Sequence, residues 1–313
     1  MTLAPRVVLA HRRTELAELL ARHGTRGQAA FYLRTRGRRI EDLESRDAAV
    51  SAAITAVASA IPPDWRRGTV ERADLPRFLF APDDIVVAVG QDGLVANVAK
   101  YVTDQAVIGI DPEPGRNAGV LVSHRPQETA ALLDAAAGLS PGGLGGLGGP
   151  RPRGSALSVS ALSMVTAATD DGQELTALNE LYVGQPTHQT ARYTLRPPGG
   201  ETEAQASSGL IVSTGTGATG WCRSAWLERH SPLALPAPDE ARLAWFVREA
   251  WPSPATGTSR TEGSVGPGEA LEVTAESDQL VLFGDGIETD TLPLTWGQTA
   301  RLRLASRSLR LLR

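Results

Sequence analysis

The sequence predicts a two-domain α+β protein: an α/β domain with a parallel sheet over residues 1–122, then an antiparallel β-sandwich domain over residues 123–313. Three observations predict it. The first 122 residues alternate strand-like and helix-like signals, and their strands are continuous apolar runs, the mark of a parallel sheet covered by helices on both faces. From Ala156 onward the chain is a succession of short strands separated by turn clusters, the texture of a sandwich. Between them lies "GLSPGGLGGLGGPRPRGS", Gly138–Ser155, too rich in glycine to hold one backbone conformation by itself and expected to be a loop or linker. With 313 residues there is enough chain for two cores.

Each element has a local cause. "RVVLA" is a short β-branched strand. Thr14 can cap a helix that carries Leu16, Leu19 and Leu20 on one face and stops near Gly24. A helical pattern from Glu41 to Ile61 ends at Pro62-Pro63, where proline removes the next amide donor. "DDIVVAVG" is a buried strand, "LVANVAKYV" a helix, "AVIGI" another buried strand, and Pro126–Ala137 a further helix. In the second half the expected strands are "ALSVSALSMV", "LNELYVG", "ARYTLR", "GLIVS", "ALEVTA", "QLVLF" and "ARLRLA", with a helix over Trp221–Arg229. The final "RLRLASRSLRLLR" alternates arginine with leucine, as an amphipathic strand with a solvated arginine side does.

Composition removes several function classes. A formal net charge of -4 lacks the positive excess that a nucleic-acid coat needs. Lys100 is the only lysine and no GxxxxGK[ST] surrounds it, so there is no P-loop. Cys222 is the only cysteine, which forbids an intrachain disulfide, and the five histidines form no HxxxH or HExxH pair, so no protein metal ligands are assigned. The N-terminal stretch lacks an apolar run long enough for a signal peptide or membrane span, and a cytoplasmic protein with no membrane partner is expected.

Two glycine loops are candidate ligand sites. "STGTGATGW", Ser213–Trp221, places Gly215, Gly217 and Gly220 in GxGxxG spacing, yet it lies within the β-rich half with no following parallel strand, so it is no dinucleotide turn of the Rossmann kind. It remains a strand that ends in a Thr/Gly loop and opens a short helix, which can hold a ligand by amides and hydroxyls. "VVAVGQDGLVANVAKYV" sets Gly90, Gln91, Asp92 and Gly93 at the carboxyl end of a buried strand and the start of a helix, where glycines let phosphates approach the main chain and the helix dipole favours them. Asp92 there admits two roles: a helix cap, or a carboxylate that takes a proton from an attacking hydroxyl or holds magnesium.

In order and rough spacing, "GQDGL" (Gly90–Leu94), "ALNELYVG" (Ala177–Gly184) and "SSGLIVSTGTGATGW" (Ser207–Trp221) resemble the NAD kinase family, with its GGDGT loop, Asn-Glu pair and TPTGSTAY-type loop. "AVIGIDPEPGRNAGVL" and "LFGDGIE" fit as well, and "DPEPGR", "TGTG" and "VREAW" look closest to the mitochondrial-type NAD kinases and their bacterial relatives. The resemblance implies an NAD kinase/diacylglycerol kinase-like fold, a Rossmann-like α/β domain plus a β-sandwich with the active site between them. It implies ATP-dependent phosphorylation of the 2′-hydroxyl of the adenosine ribose of NAD, with NAD and ATP as substrates, Mg²⁺ as cofactor, and a homodimer or larger homo-oligomer. Carried over, Asp92 is the general base, Gly90, Gln91 and Gly93 form the ATP-phosphate loop, and Asn179, Glu180, Thr216, Gly217, Thr219, Gly220 and Trp221 form the NAD site. Gln91 and Leu94 replace the family's second glycine and threonine, Ala218 and Gly220 stand at its serine and alanine, and Ser208 replaces an aspartate common before the strand. The Asn179-Glu180 pair alone fits a strand end, Trp221 alone fits packing, and Asp285 is expected mainly as the first residue of a tight hairpin turn. A kinase of this fold acting on another hydroxyl, and a non-catalytic NAD(P)-binding regulator, are the two other functions that these residues admit.

Overall fold

The computed structural model describes residues 4–116, 119–138, 157–287 and 290–313. The chain divides into two compact units, residues 1–160 with 310–313, and residues 161–309.

In the first unit the elements run β1 (Arg6–His11), α1 (Glu15–His23), α2 (Arg26–Arg34), α3 (Ile40–Ala60), β2 (Arg66–Glu71), β3 (Asp84–Val89), α4 (Asp92–Ala99), β4 (Ala106–Ile110) and α5 (Thr129–Ala137). The strands are parallel in the order β2-β1-β3-β4, and Arg310–Leu312 add in parallel beside β4. Every residue of β3 and β4 is buried, which is why the sequence shows unbroken apolar runs instead of alternation. The one charge in those strands, Asp84, is answered by the Arg6 guanidinium at 2.7 and 2.6 Å. Thr14 caps α1 by accepting the Ala17 amide at 3.2 Å, and Gly24 ends it with φ of 75°. From β1 the chain goes outward to β2 and returns to β3 on the other side. Strand order therefore reverses between β1 and β3, and the carboxyl ends at such a reversal are where open α/β sheets generally take ligands.

The division between the units falls later than residue 122 because α5 packs on the first core. Leu132, Leu133 and Ala136 sit among Val57 of α3, Ile61 just after it, and Val7, Ile85, Val87 and Ile108 of the sheet. The expected helix from Pro126 begins as one 3-10 turn, Pro126–Glu128, before α5. Of the glycine-rich stretch 138–155, all but Gly138 lies outside the described residues.

The second unit contains β5 (Val159–Thr169, from residue 161 onward), β6 (Glu174–Ala177), β7 (Glu180–Gly184), β8 (Ala191–Arg196), β9 (Glu203–Ser207), β10 (Leu210–Ser213), α6 (Trp221–Glu228), β11 (Leu243–Val247), β12 (Glu262–Val265), β13 (Leu271–Ala275), β14 (Leu280–Gly284), β15 (Thr291–Leu294) and most of β16 (Thr299–Leu312). One sheet is antiparallel in the order β12-β11-β10-β7-β14-β15, and a second antiparallel series runs β16-β13-β8-β9 with β5 and β6. Alternate residues of both, among them Leu181, Val183, Val212 and Leu282 on one side and Tyr193, Leu195, Val273 and Leu302 on the other, form one buried cluster. That is a sandwich core, each side chain contributing about 1.5–3 kcal/mol of burial. Arg301 and Arg303 are exposed while Leu302 between them is buried, as the alternation of β16 requires. Helix α6 covers part of the outer face of the six-stranded sheet, with Cys222 and Ala225 against Ala244 and Phe246. Among the described residues no helix is long and apolar enough to cross a membrane.

Gly109, in the middle of β4, is fixed by a close approach. A Cβ there would stand 2.1 Å from the Leu121 carbonyl oxygen. Gly109→Ala is expected to cost about 3 kcal/mol, since backbone atoms have to move. A lowered midpoint of urea unfolding checks it, and an unchanged midpoint would show that segment 119–122 yields freely.

Candidate nucleotide site

In the first unit, β3 ends at Gly90, whose amide donates to Ile110 O at 3.0 Å and ties the loop to the end of β4. Gln91 is exposed and precedes α4 in an extended conformation without a side-chain cap. Asp92 is the first residue of α4, and its carboxylate turns away from the helix. Oδ1 accepts the amides of Leu121 at 2.8 Å and Val122 at 3.0 Å, and Oδ2 accepts that of Val120 at 3.0 Å. The helix-cap role open to Asp92 in the sequence is thus replaced by a clamp on the segment after β4. A carboxylate offers about four acceptor positions, and three are taken. A Cβ on Gly93 would meet nothing within 4 Å, so the main chain is open to a ligand there. A Cβ on Gly90 would stand 3.1 Å from the buried Leu94 side chain, so Leu94, in the place of the family's threonine, serves packing.

In the second unit, Asn179 and Glu180 stand where β7 begins. The Asn179 backbone is held from both sides. Its amide and that of Leu178 donate to the Asp285 carboxylate at 2.7 and 2.9 Å, while its carbonyl accepts from the Thr214 amide at 2.9 Å and the Ser213 hydroxyl at 3.2 Å. The Thr214 hydroxyl donates to Leu178 O at 2.6 Å. The glycines of the Thr/Gly loop make this closeness possible: a Cβ on Gly217 would lie 2.3 Å from Asn179 O, and one on Gly215 would lie 2.0 Å from Ala237 O. Gly220 has open space by comparison, its nearest neighbour being Gly217 O at 3.7 Å. The strand before this loop, β10, pairs antiparallel with β7 and β11, so the GxGxxG spacing arises from backbone packing in a sandwich and not from a parallel dinucleotide turn.

The rest of the predicted dinucleotide set gathers around the same loop. Thr216 is buried, and its hydroxyl has no hydrogen-bond partner among the described residues. Exposed Thr219 donates its hydroxyl to Thr216 O at 2.9 Å. Trp221 is 36% exposed and stacks on Tyr182, with centroids 5.5 Å apart and 20° between the planes. The Arg248 guanidinium lies over the indole at 5.1 Å, a contact for which no motif in the chain is a signal. Burial, and after it the charge of Asp285, pushes the Glu180 carboxyl up to about 7 from an ordinary 4.5. Burial likewise pushes the Cys222 thiol up to about 11, which makes it an inert core residue. Within each unit the predicted residues are therefore contiguous: Gly90–Gly93 in one, Asn179, Glu180 and Thr216–Trp221 in the other.

No family model and no curated protein matches the chain. Among solved structures it is similar to an NAD kinase from Archaeoglobus fulgidus in complex with ATP, at 15% identity over 98% of this chain and 93% of that one, with a TM-score of 0.56. The fold is the NAD kinase fold. Within it, Asp92 follows the central strand of the parallel sheet and Asn179-Glu180 opens a strand of the sandwich.

The raised Glu180 value has a definite sign. At pH 4 and below, the carboxyl is protonated in both the folded and unfolded chain and burial costs little. As pH rises toward 7 the unfolded chain releases its proton first, and the fold loses at most about 3 kcal/mol. Glu180→Gln should therefore melt with the wild type at pH 4 and above it at pH 8. A difference in melting temperature that is the same at both pH values would remove the ionisation of Glu180 as its cause.

Proposed function

We propose that the chain is a kinase that transfers the γ-phosphoryl group of ATP to the 2′-hydroxyl of the adenosine ribose of NAD, giving NADP. What carries this reading is the combination, in an NAD kinase fold, of a carboxylate at the carboxyl edge of the parallel sheet and an Asn-Glu pair whose backbone is fixed from both sides. The ATP complex of the similar structure supports ATP as the donor.

In the proposed reaction the 2′-oxygen attacks the γ-phosphorus, the bond to the β–γ bridging oxygen breaks, and ADP leaves. The hydroxyl proton goes to the acceptor position of Asp92 that the amides of 120–122 leave over, and from there to water. Gly93 and the start of α4 supply main-chain room and a favourable dipole for phosphate oxygens. Asn179 offers both a donor and an acceptor to vicinal ribose hydroxyls. Glu180, with its value near neutrality, can meet the same hydroxyls as acceptor or donor. The Trp221 face, backed by Tyr182, offers a stacking surface to a base or nicotinamide ring. Magnesium would accompany the triphosphate and offset its charge, as it does at nucleotide phosphates generally. A cytoplasmic homodimer or larger homo-oligomer completes the proposal.

One observation favours the regulator as the second reading: the three amide bonds give Asp92 a structural use that involves no chemistry. Turnover separates the two. With NAD, ATP and magnesium, the wild type should form NADP, read through glucose-6-phosphate dehydrogenase. Asp92→Asn should lower kcat by roughly 10²- to 10⁴-fold. Asn179→Ala should raise the dissociation constant for NAD about tenfold, the loss of one good hydrogen bond. Tight NAD binding by a wild type that forms no NADP would reject the kinase in favour of the regulator.

A further inference from the structure

Asp285 does more than turn a corner. The ladder between β14 and β7 pairs Phe283 with Tyr182 and Gly284 with Leu181, which sets Asp285 opposite Glu180 at the end of the register. The Asp285 amide still donates to Glu180 O, at 3.3 Å. Beyond that point the two chains part, and the Asn179 and Leu178 amides are answered by a side chain instead of a strand. Asp285 supplies it, Oδ1 to Asn179 at 2.7 Å and Oδ2 to Leu178 at 2.9 Å. The close seat is enforced by Gly284, where a Cβ would stand 2.7 Å from that of Ala177 and 3.0 Å from the Leu181 side chain.

The backbone of Asp285 is informative as well. Its φ is 55° and that of Gly286 is 67°, the left-handed pair that a tight hairpin turn uses, and Ile287 N donates to Gly284 O at 3.1 Å. For the turn alone glycine suits position 285 at least as well as aspartate, because it adopts positive φ without a Cβ. A residue that tolerates this conformation less well and spends both carboxylate oxygens on two neighbouring amides points to a second demand.

We propose that Asp285 is a positioning residue for the Asn179-Glu180 pair, setting the height and direction of Asn179 toward the ribose hydroxyls; this rests on the dinucleotide reading given above. Serving both amides calls for two acceptor oxygens at a left-handed position, a pair of requirements that asparagine meets by half and glycine meets only in its backbone.

The test compares Asp285→Gly and Asp285→Asn with the wild type. Dissociation constants for NAD and NADP come from calorimetry, and amide hydrogen exchange at Leu178 and Asn179 is followed in the ligand-free protein. Asp285→Gly should exchange those two amides at least about tenfold faster and bind dinucleotide at least about tenfold more weakly. Asp285→Asn, keeping one acceptor, should fall between it and the wild type. A residue needed only for the turn predicts the reverse, with glycine harmless. Wild-type affinity in Asp285→Gly would overturn the proposal, as would unchanged exchange at the two amides. A wild type that binds neither NAD nor NADP would overturn it together with the dinucleotide reading. If the wild type binds NAD and transfers no phosphate while the order aspartate, asparagine, glycine holds, only the kinase chemistry fails and the positioning role stands.

Discussion

Where a strand stops pairing, its next amides still need acceptors, and in this fold two aspartates provide them. Asp92 answers three amides of the segment after β4, and Asp285 answers two amides of the segment before β7. A buried amide left unmet costs about as much as a lost hydrogen bond, and bonds to a charged acceptor contribute about 1.5–3 kcal/mol each. Segments 120–122 and 178–179 have no regular structure of their own, yet these bonds hold them as a strand neighbour would. Asn179 lies in the second of those held segments, and the first is tied to the turn that carries Asp92. Close packing adds to the same end: Gly109 admits Leu121, and Gly215 and Gly217 admit Ala237 and Asn179.

The parts of the fold that were legible in the sequence are those whose cause is local. The buried runs at β3 and β4, the Thr14 cap, the Gly24 stop and the proline boundary after α3 each follow from residues within a few positions of one another. Strand β2, "RRGTVE", was not legible because it is the edge of the parallel sheet and only Val70 in it is buried. Strand β11, "LAWFV", is fully buried but follows a proline-broken loop, and a short apolar run of that length carries no period of its own. Helix α2, "RGQAAFYLR", buries only Ala29 and Leu33, too thin a stripe to mark a helix from pattern.

For the site, the sequence offered candidate residues, while the bonds those residues make were not legible in it. The motifs singled out Asp92, Asn179, Glu180 and Thr216 as candidates, but a side chain that bonds amides 28 or 106 positions away leaves no spacing to find. The glycines of "STGTGATG" show the converse. Their spacing copies a dinucleotide turn, while two of them are explained by close approach to a neighbouring carbonyl. One spacing can therefore have two unrelated causes, and only the three-dimensional neighbours distinguish them.

An acidic set of residues is at first sight a poor host for the phosphates of the proposed ligands. The bonding resolves much of the conflict. The charge of Asp92 is turned toward three amide dipoles and that of Asp285 toward two, so each is partly neutralised by the chain before a ligand arrives. Glu180, which burial and the Asp285 charge push toward neutrality, gives up part of its own charge near pH 7. Arg248, over the exposed indole of Trp221, adds a cation to the sandwich half. Under the proposed function, the hydroxyls, amides and near-neutral carboxyl of the second unit suit ribose, and in the first unit the open main chain at the start of α4 suits phosphate. The same arithmetic makes the proton-accepting role proposed for Asp92 compatible with its hold on the loop: of about four acceptor positions, three face the fold and one is left over.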